Sequence, residues 1–343
     1  MTLTVVNDWH LGAHRSAGTT PATAYQLRMD LLEFASRLLG GVTGNLLVNG
    51  DLFDGPDIPR ADMLMAVRLF NDWLEADRSR RLWLSNGNHD LDKNATRLSS
   101  FQFFAQLLVS MHPEQVEHIT TGQHLRLHDA WVIPHMPNQD LFELELEKVP
   151  PCRFLFVHCN YDNQFAVEQD HSLNLSREWA EKLPVEYIVF GHEHQGRTEL
   201  GGKVVIVGNQ FPSSVSDCLG NCDKNLLRTA GGRYALQTTW QPDGDFAIQD
   251  WRELEDTGAR FIRVTGQAAA AEAPAVVNAV SRFRAKADAL VITNAVKIEG
   301  VNDSAQLELS HEQINSFNVR EALREMLTDT ENQKIDMLMS ERE

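Results

Sequence analysis

Cysteine is scarce in this sequence: Cys152, Cys159, Cys218 and Cys222 are the only four in 343 residues. So few thiols exclude a disulfide framework and fit a reducing compartment. Cys218 and Cys222 would make half of a tetrahedral zinc set, but no second pair lies at a useful spacing, so structural zinc is not expected. Apolar runs long enough to cross a bilayer are also missing, which excludes a helical membrane protein. The opening stretch MTLTVVNDWH enters an apolar strand without the basic segment or cleavage site of a secretory signal, so a cytoplasmic location is expected. Basic residues are outnumbered, 31 against 48 acidic ones, for a formal net charge of -17. That balance excludes a protein that coats nucleic acid through a broad basic surface, though not one that binds it through metals and a local basic strip. Internal repeats and low-complexity tracts are absent as well.

What remains is ordinary globular composition, with 43% hydrophobic and 23% charged residues. A chain of this length exceeds the usual single core, so one main domain with an appendage is expected. The first 90 residues or so alternate strand and helix. LTVV, NLLV and RLWL read as strands; Leu27, Leu31, Phe34, Ala35 and Leu38, then Leu64, Val67, Phe70 and Leu74, recur at helical spacing between them. Crossover helices imply parallel pairing. The middle of the chain has shorter, closer strands (LRLHDAWVIPH, FLFVH, YIVFGH, KVVIVGN), which imply a second, mixed sheet. RYALQTTWQPDGDFAIQDW reads as a β-hairpin closing a main domain over residues 1–256. A compact α/β unit comes next over 257–302, in which QAAAAEAPA reads as a linker, and then a helical tail over 303–343. In that tail Asn318 and Glu321 are placed for a capping box, with Val319, Leu323, Met326 and Leu327 on one face. The fold class is therefore α/β, a layered sandwich of two mixed sheets flanked by helices, with the small α/β unit and the tail attached.

The strand ends carry the chemistry. LTVV runs into Asp8, Trp9 and His10; NLLV into Asp51 and Asp54; RLWL into Gly87, Asn88, His89 and Asp90; FLFV into His158; YIVF into His192 and His194. Each residue alone would pass as a polar group at a turn, and Gly87 as the residue that lets the chain turn tightly. Together they are carboxylates, imidazoles and an amide at the edge where α/β sheets bind ligands. A mixed oxygen and nitrogen set without thiolate suits manganese, iron or zinc, and there are donors enough for two ions. Asp8 and Asp51 offset only half the charge of two divalent ions, leaving a cationic pocket for phosphate in an acidic protein. Trp9 and Trp83 read as core.

DWHLG, GDLFD, GNHD, the lone His158 and GHEH, in this order, resemble the five motifs of the calcineurin-like metallophosphoesterases. The resemblance implies a two-metal phosphoesterase in which Asp8, His10, Asp51 and His194 hold one ion. Asp51 as bridge, Asn88, His158 and His192 would hold the other. His89 would act as acid, or as donor to the leaving or phosphoryl oxygen. Asp54 and Asp90 would support the ligands or the turn, and His14 and Arg15 would touch phosphate or lie in a solvated loop.

Within that family, NDWHLGAHR, GNQFPSSVSDCLGN, ALVITNAVKIEG and the tail VREALREML resemble the SbcD-like DNA nucleases. This closer resemblance implies a manganese-dependent exonuclease and endonuclease in DNA repair or recombination. The small unit would be a capping domain that positions DNA, the tail would dock on an SbcC-like SMC-family ATPase, and the chain would form a homodimer. Charge agrees with that division: six basic residues (Arg260, Arg263, Arg282, Arg284, Lys286, Lys297) face three acidic ones from Gly258 to Gly300, and four face ten from Val301 on. Asp54 stands where archaeal and eukaryotic relatives carry a histidine linked to exonuclease action, which places the chain nearer the bacterial branch. The alternatives are a small-molecule phosphodiesterase or pyrophosphatase, and a scaffold subunit that binds DNA and the ATPase but cleaves little.

Overall fold

The computed structural model describes residues 2–13, 18–92, 97–163, 172–221 and 223–299. His14, Arg15, Cys222 and the expected C-terminal tail lie outside the described residues. The chain begins with β1 (Leu3–Val6), β2 (Asn45–Asn49), β3 (Leu82–Ser85) and β4 (Val116–Ile119), joined by helices α1 (Pro21–Gly40), α2 (Arg60–Glu75) and α3 (Ser100–Met111). These four strands pair in parallel, as crossover helices require. Helix α1 starts at Thr20, whose hydroxyl accepts from the Thr23 N–H in a reciprocal capping box, with Pro21 in the first turn. Helix α3, absent from the helices expected above, opens on a similar box between Ser99 and Gln102.

The second sheet is built from β5 (Gln123–Leu125), β6 (Ala130–Ile133), β7 (Cys152–His158), β10 (Val185–Gly191), β11 (Arg197–Glu199) and β12 (Val204–Ile206), with helices α4 (Gln139–Leu146) and α5 (Arg177–Lys182). A two-residue pair, β8 (Asn160–Tyr161) and β9 (Asn174–Leu175), stands beside it. Strands β13 (Lys224–Ala230) and β14 (Arg233–Trp240) return to the first sheet, giving the orders β14-β13-β1-β2-β3-β4 and β11-β12-β10-β7-β6-β5. Alternation puts Leu3, Val5, Leu47 and Trp83 between the sheets against Phe154, Phe156 and Val189. Val6, Leu46, Val48 and Trp9 face α1 to α3, and Leu155, Val157, Ile188 and Phe190 face α4 and α5. The expected helix-flanked sandwich of two mixed sheets is what forms, and both faces of the central strands are buried.

Four local expectations change. RYALQTTWQPDGDFAIQDW is not a hairpin: β14 pairs with β13, whereas β15 (Phe246–Asp250) pairs in parallel with β16 (Phe261–Thr265) of the small unit. The intervening turn is tied to that unit, because Asp245 accepts from Arg260 Nε and Nη2 at 2.6 and 2.7 Å and its carbonyl accepts from the Phe261 N–H. The small sheet, completed by β18 (Val291–Asn294), thus takes its first strand from before residue 257. The presumed linker is structured, with β17 (Gln267–Ala269) pairing in parallel with β19 (Lys297–Glu299) before helix α6 (Ala273–Arg284). Leu64 points outward, 51% exposed, and Ala66 and Trp73 join Val67, Phe70 and Leu74 on the buried face of α2. LRLHDAWVIPH is broken between β5 and β6 by a 3-10 turn over Arg126–His128 and by Asp129 in the left-handed region.

Candidate metal centre

Strands β1, β2, β3, β7 and β10 all end at the same edge, and every donor read from the strand ends is found there. Asp8, His10, Asp51 and His158 are each 1% exposed, while Asn88, His89, His192, His194 and Asp54 are half-buried around them. The donor atoms of Asp8, His10 and His194 all lie within 4.8 Å of one another, and so do those of Asp51, His158 and His192. Asn88 Oδ1 belongs to the second group, 2.9 Å from His192 Nδ1 and 3.2 Å from His158 Nε2. Asp8 Oδ1 stands between the groups, 3.8 Å from His194 Nε2 and 4.0 Å from His158 Nε2.

Sharp backbone turns aim these side chains. Asp8, His10, Asp51 and His192 have φ of 54°, 47°, 49° and 86°, left-handed values that cost a non-glycine residue about 1–3 kcal/mol. Missing side chains make the room. A Cβ at Gly50 would lie 2.1 Å from His158 Nδ1, and one at Gly87 would lie 2.1 Å from Asp51 Oδ1. Gly87 is therefore required for close approach and not for its dihedral angle, since it does not adopt a positive φ.

Three imidazoles are held from behind. His158 Nδ1 donates to the Asn49 carbonyl at 2.9 Å, His194 Nδ1 lies 2.7 Å from Asp217 Oδ1, and His10 Nδ1 lies 3.4 Å from Asp54 Oδ1. The hydrogen bonds at His158 and His194 fix the tautomer and point Nε2 at the site; His10 and His194 Nε2 face each other at 3.0 Å. Burial, then His194, lowers the His10 imidazole to about 4, which keeps its lone pair available. At His158 burial opposes charge, but the Asp51 carboxylate 3.2 Å away outweighs it and raises the imidazole to about 9. Asp51 is correspondingly held well below the usual carboxylate range, its burial overcome by His158. Burial likewise opposes charge on His194, and Asp217 prevails to raise it. Carboxylates and imidazole nitrogens converging on one centre suit divalent cations, so the residues present fit two ions.

The remaining residues have defined contacts. His89 donates from Nδ1 to the Asp54 carbonyl at 2.8 Å, and its N–H donates to Asp51 Oδ1 at 2.9 Å. Asp90 is fully buried and accepts N–H bonds from Gly87, Phe53 and Leu52, tying the loop after β3 to the loop that carries Asp51. Glu193 of GHEH turns away, accepting from the Tyr161 N–H and from Arg197. Cys152, Cys159 and Cys218 are buried free thiols, and among the described residues no metal group includes them.

Two residues near the donors escaped the sequence reading. Asp217 lies 23 positions beyond its partner His194. His135, edge-on to His158 with ring centroids 6.5 Å apart, comes after β6 as the other donors come after their strands, so an apolar run ending in histidine was the available signal.

No curated protein matches the sequence. Among solved structures, a dimetal phosphatase from Danio rerio is 11% identical, with a TM-score of 0.39 over 70% of this chain and 96% of that one. A cold-active protein-tyrosine phosphatase from a psychrophilic Shewanella is 13% identical, with a TM-score of 0.35 over 70% and 80%. The calcineurin-like phosphoesterase profile matches residues 1–196, more than half of the sequence and the stretch that contains every donor gathered at the sheet edge. The chain thus belongs to the calcineurin-like phosphoesterases, hydrolases of phosphoesters that use divalent metal ions.

Proposed function

We propose that this chain is a DNA nuclease of the SbcD-like kind, activated by manganese and working in repair or recombination with an SMC-like ATPase. Asp8, His10 and His194 would hold one ion, Asn88, His158 and His192 the other, with Asp51 between them. When bound, the ions neutralise the phosphoryl oxygens and acidify a water. The protein's part is to orient and to move protons. Because the Asp54 carbonyl can only accept, His89 keeps a proton on Nδ1, and its Nε2 donates to a leaving or phosphoryl oxygen only when the ring is doubly protonated.

The observation that carries the nuclease reading is the seat of the small unit. Phe261 packs on Phe211 and Trp240 of the main domain, which fixes a surface bearing the exposed Arg282, Lys286 and Lys297 relative to the centre. Arg260 and Arg284 are already engaged, with Asp245 and with the Ile292 carbonyl, so fewer basic side chains face solvent than the sequence count implied.

The test is direct. Purified protein with manganese should degrade linear DNA, and Asp51→Asn should abolish it. Cleavage of nucleotides or small diesters alone would defeat the nuclease reading; binding of an SbcC-like ATPase without any cleavage would favour a scaffold. Deletion after Ser310 should remove ATPase binding and leave diester hydrolysis intact; unchanged binding would defeat the docking role of the tail.

A further inference from the structure

The loop after β12, GNQFPSSVSDCLGN, grips the centre from two sides. Gln210, fully buried, accepts on Oε1 from the Asn7 N–H at 2.9 Å and from Trp9 Nε1 at 3.0 Å, on either side of Asp8. Its Nε2 donates to Asn7 Oδ1 and to the carbonyls of Gly208 and Asn225. Asn7 Nδ2 in turn donates to Asp8 Oδ2 and to the Gly208 carbonyl. Seven residues on, Asp217 takes the N–H groups of Ser213 and Ser214 on Oδ2 and His194 Nδ1 on Oδ1. Lys224 Nζ donates to the His194 carbonyl at 2.8 Å and adds a second hold on that ligand.

Between the two grips stands Phe211, and the small unit holds it. Phe211 is stacked on Phe34 at 5.0 Å, meets Phe261 at 6.4 Å, and lies 4.9 Å beneath the Arg260 guanidinium. That guanidinium is itself pinned by Asp245 and by Asp30 of α1.

We infer that residues 208–217 are a strap through which the seating of the small unit sets the affinity of the Asp8, His10 and His194 site for its ion. Gln210 and Asp217 are positioning residues for this site, and Arg260 acts on it only through Phe211. The inference rests on the metal-centre reading above. Buried polar clamps of this type resist rearrangement, so a shift of Phe211 is passed to both ends of the loop and not absorbed by it.

Calorimetric titration of the metal-free full-length protein with Mn2+ tests this without substrate. Wild type should take up two ions. Gln210→Ala and Asp217→Ala should weaken one of them by about tenfold or more, the usual cost of losing a ligand's support. Arg260→Ala should weaken the same ion and leave the other unchanged. Phe211→Leu, which keeps apolar bulk and loses the ring contacts, should do likewise, and replaces Arg260→Ala if that variant does not unfold cooperatively. Wild-type affinity for both ions in Arg260→Ala and Phe211→Leu would overturn the coupling while leaving the centre standing. Wild type that takes up no ion would overturn the metal reading and the strap with it.

Discussion

Gly87 and Asp51 share a space that holds only one side chain: a Cβ built on Gly87 would lie 2.1 Å from Asp51 Oδ1 and 2.4 Å from its backbone nitrogen. Two strand-end loops are in contact here without a methyl group to spare. Gly87→Ala must displace the Asp51 carboxylate or the loop that bears it. We expect about tenfold or greater loss of metal affinity with the fold retained, read by metal titration and circular dichroism. An alanine variant that binds metal like wild type would show that the loops do not need this closeness.

His89→Ala removes the side chain proposed above as donor to the leaving oxygen. Diesters with alkyl leaving groups should lose about 10²- to 10⁴-fold in kcat, whereas aryl diesters, whose leaving groups need no proton, should lose much less. An equal loss on both would assign His89 to phosphoryl stabilisation instead.

Protons and metal compete at His158. Its raised pKa means that its charge stabilises the metal-free protein fully below about 6.5, the ordinary value, and that this contribution is lost as pH rises through about 9. Nε2 must be bare to bind an ion, so metal uptake near neutral pH should release a proton. Calorimetry in buffers of different ionisation enthalpy would detect it as a buffer-dependent heat; one heat in all buffers would refute proton release.

Away from the centre, Arg28 of α1 grips Asp62 of α2 by two bonds of 2.7 Å, with Asp62 only 1% exposed. Arg28→Ala leaves that carboxylate buried and unpaired. The expected loss is about 3 kcal/mol in urea unfolding; the double variant Arg28→Ala with Asp62→Ala should recover part of it.

The donors were legible because each comes directly after an apolar strand, so sequence order alone predicts that they meet at one sheet edge. Partner choice was not. The alternation in RYALQTTW and FAIQD shows two strands, but nothing in it says that β14 joins β13 while β15 joins β16; the Asp245 and Arg260 bond that separates them spans 15 positions. Asp217 was hidden for the same reason, as a carboxylate whose meaning is its distance from His194. Gly87 was read as the residue that lets the chain turn tightly and instead makes room for Asp51, because a sequence does not reveal which side chain will stand against a missing one.

Every donor sits at the end of an inner strand: β1, β2 and β3 in one sheet, β7 and β10 in the other. The outermost strands, β14 and β4, β11 and β5, carry none. A longer loop or an added strand at those margins would leave every donor in place. The chemistry is anchored by position in the sheet.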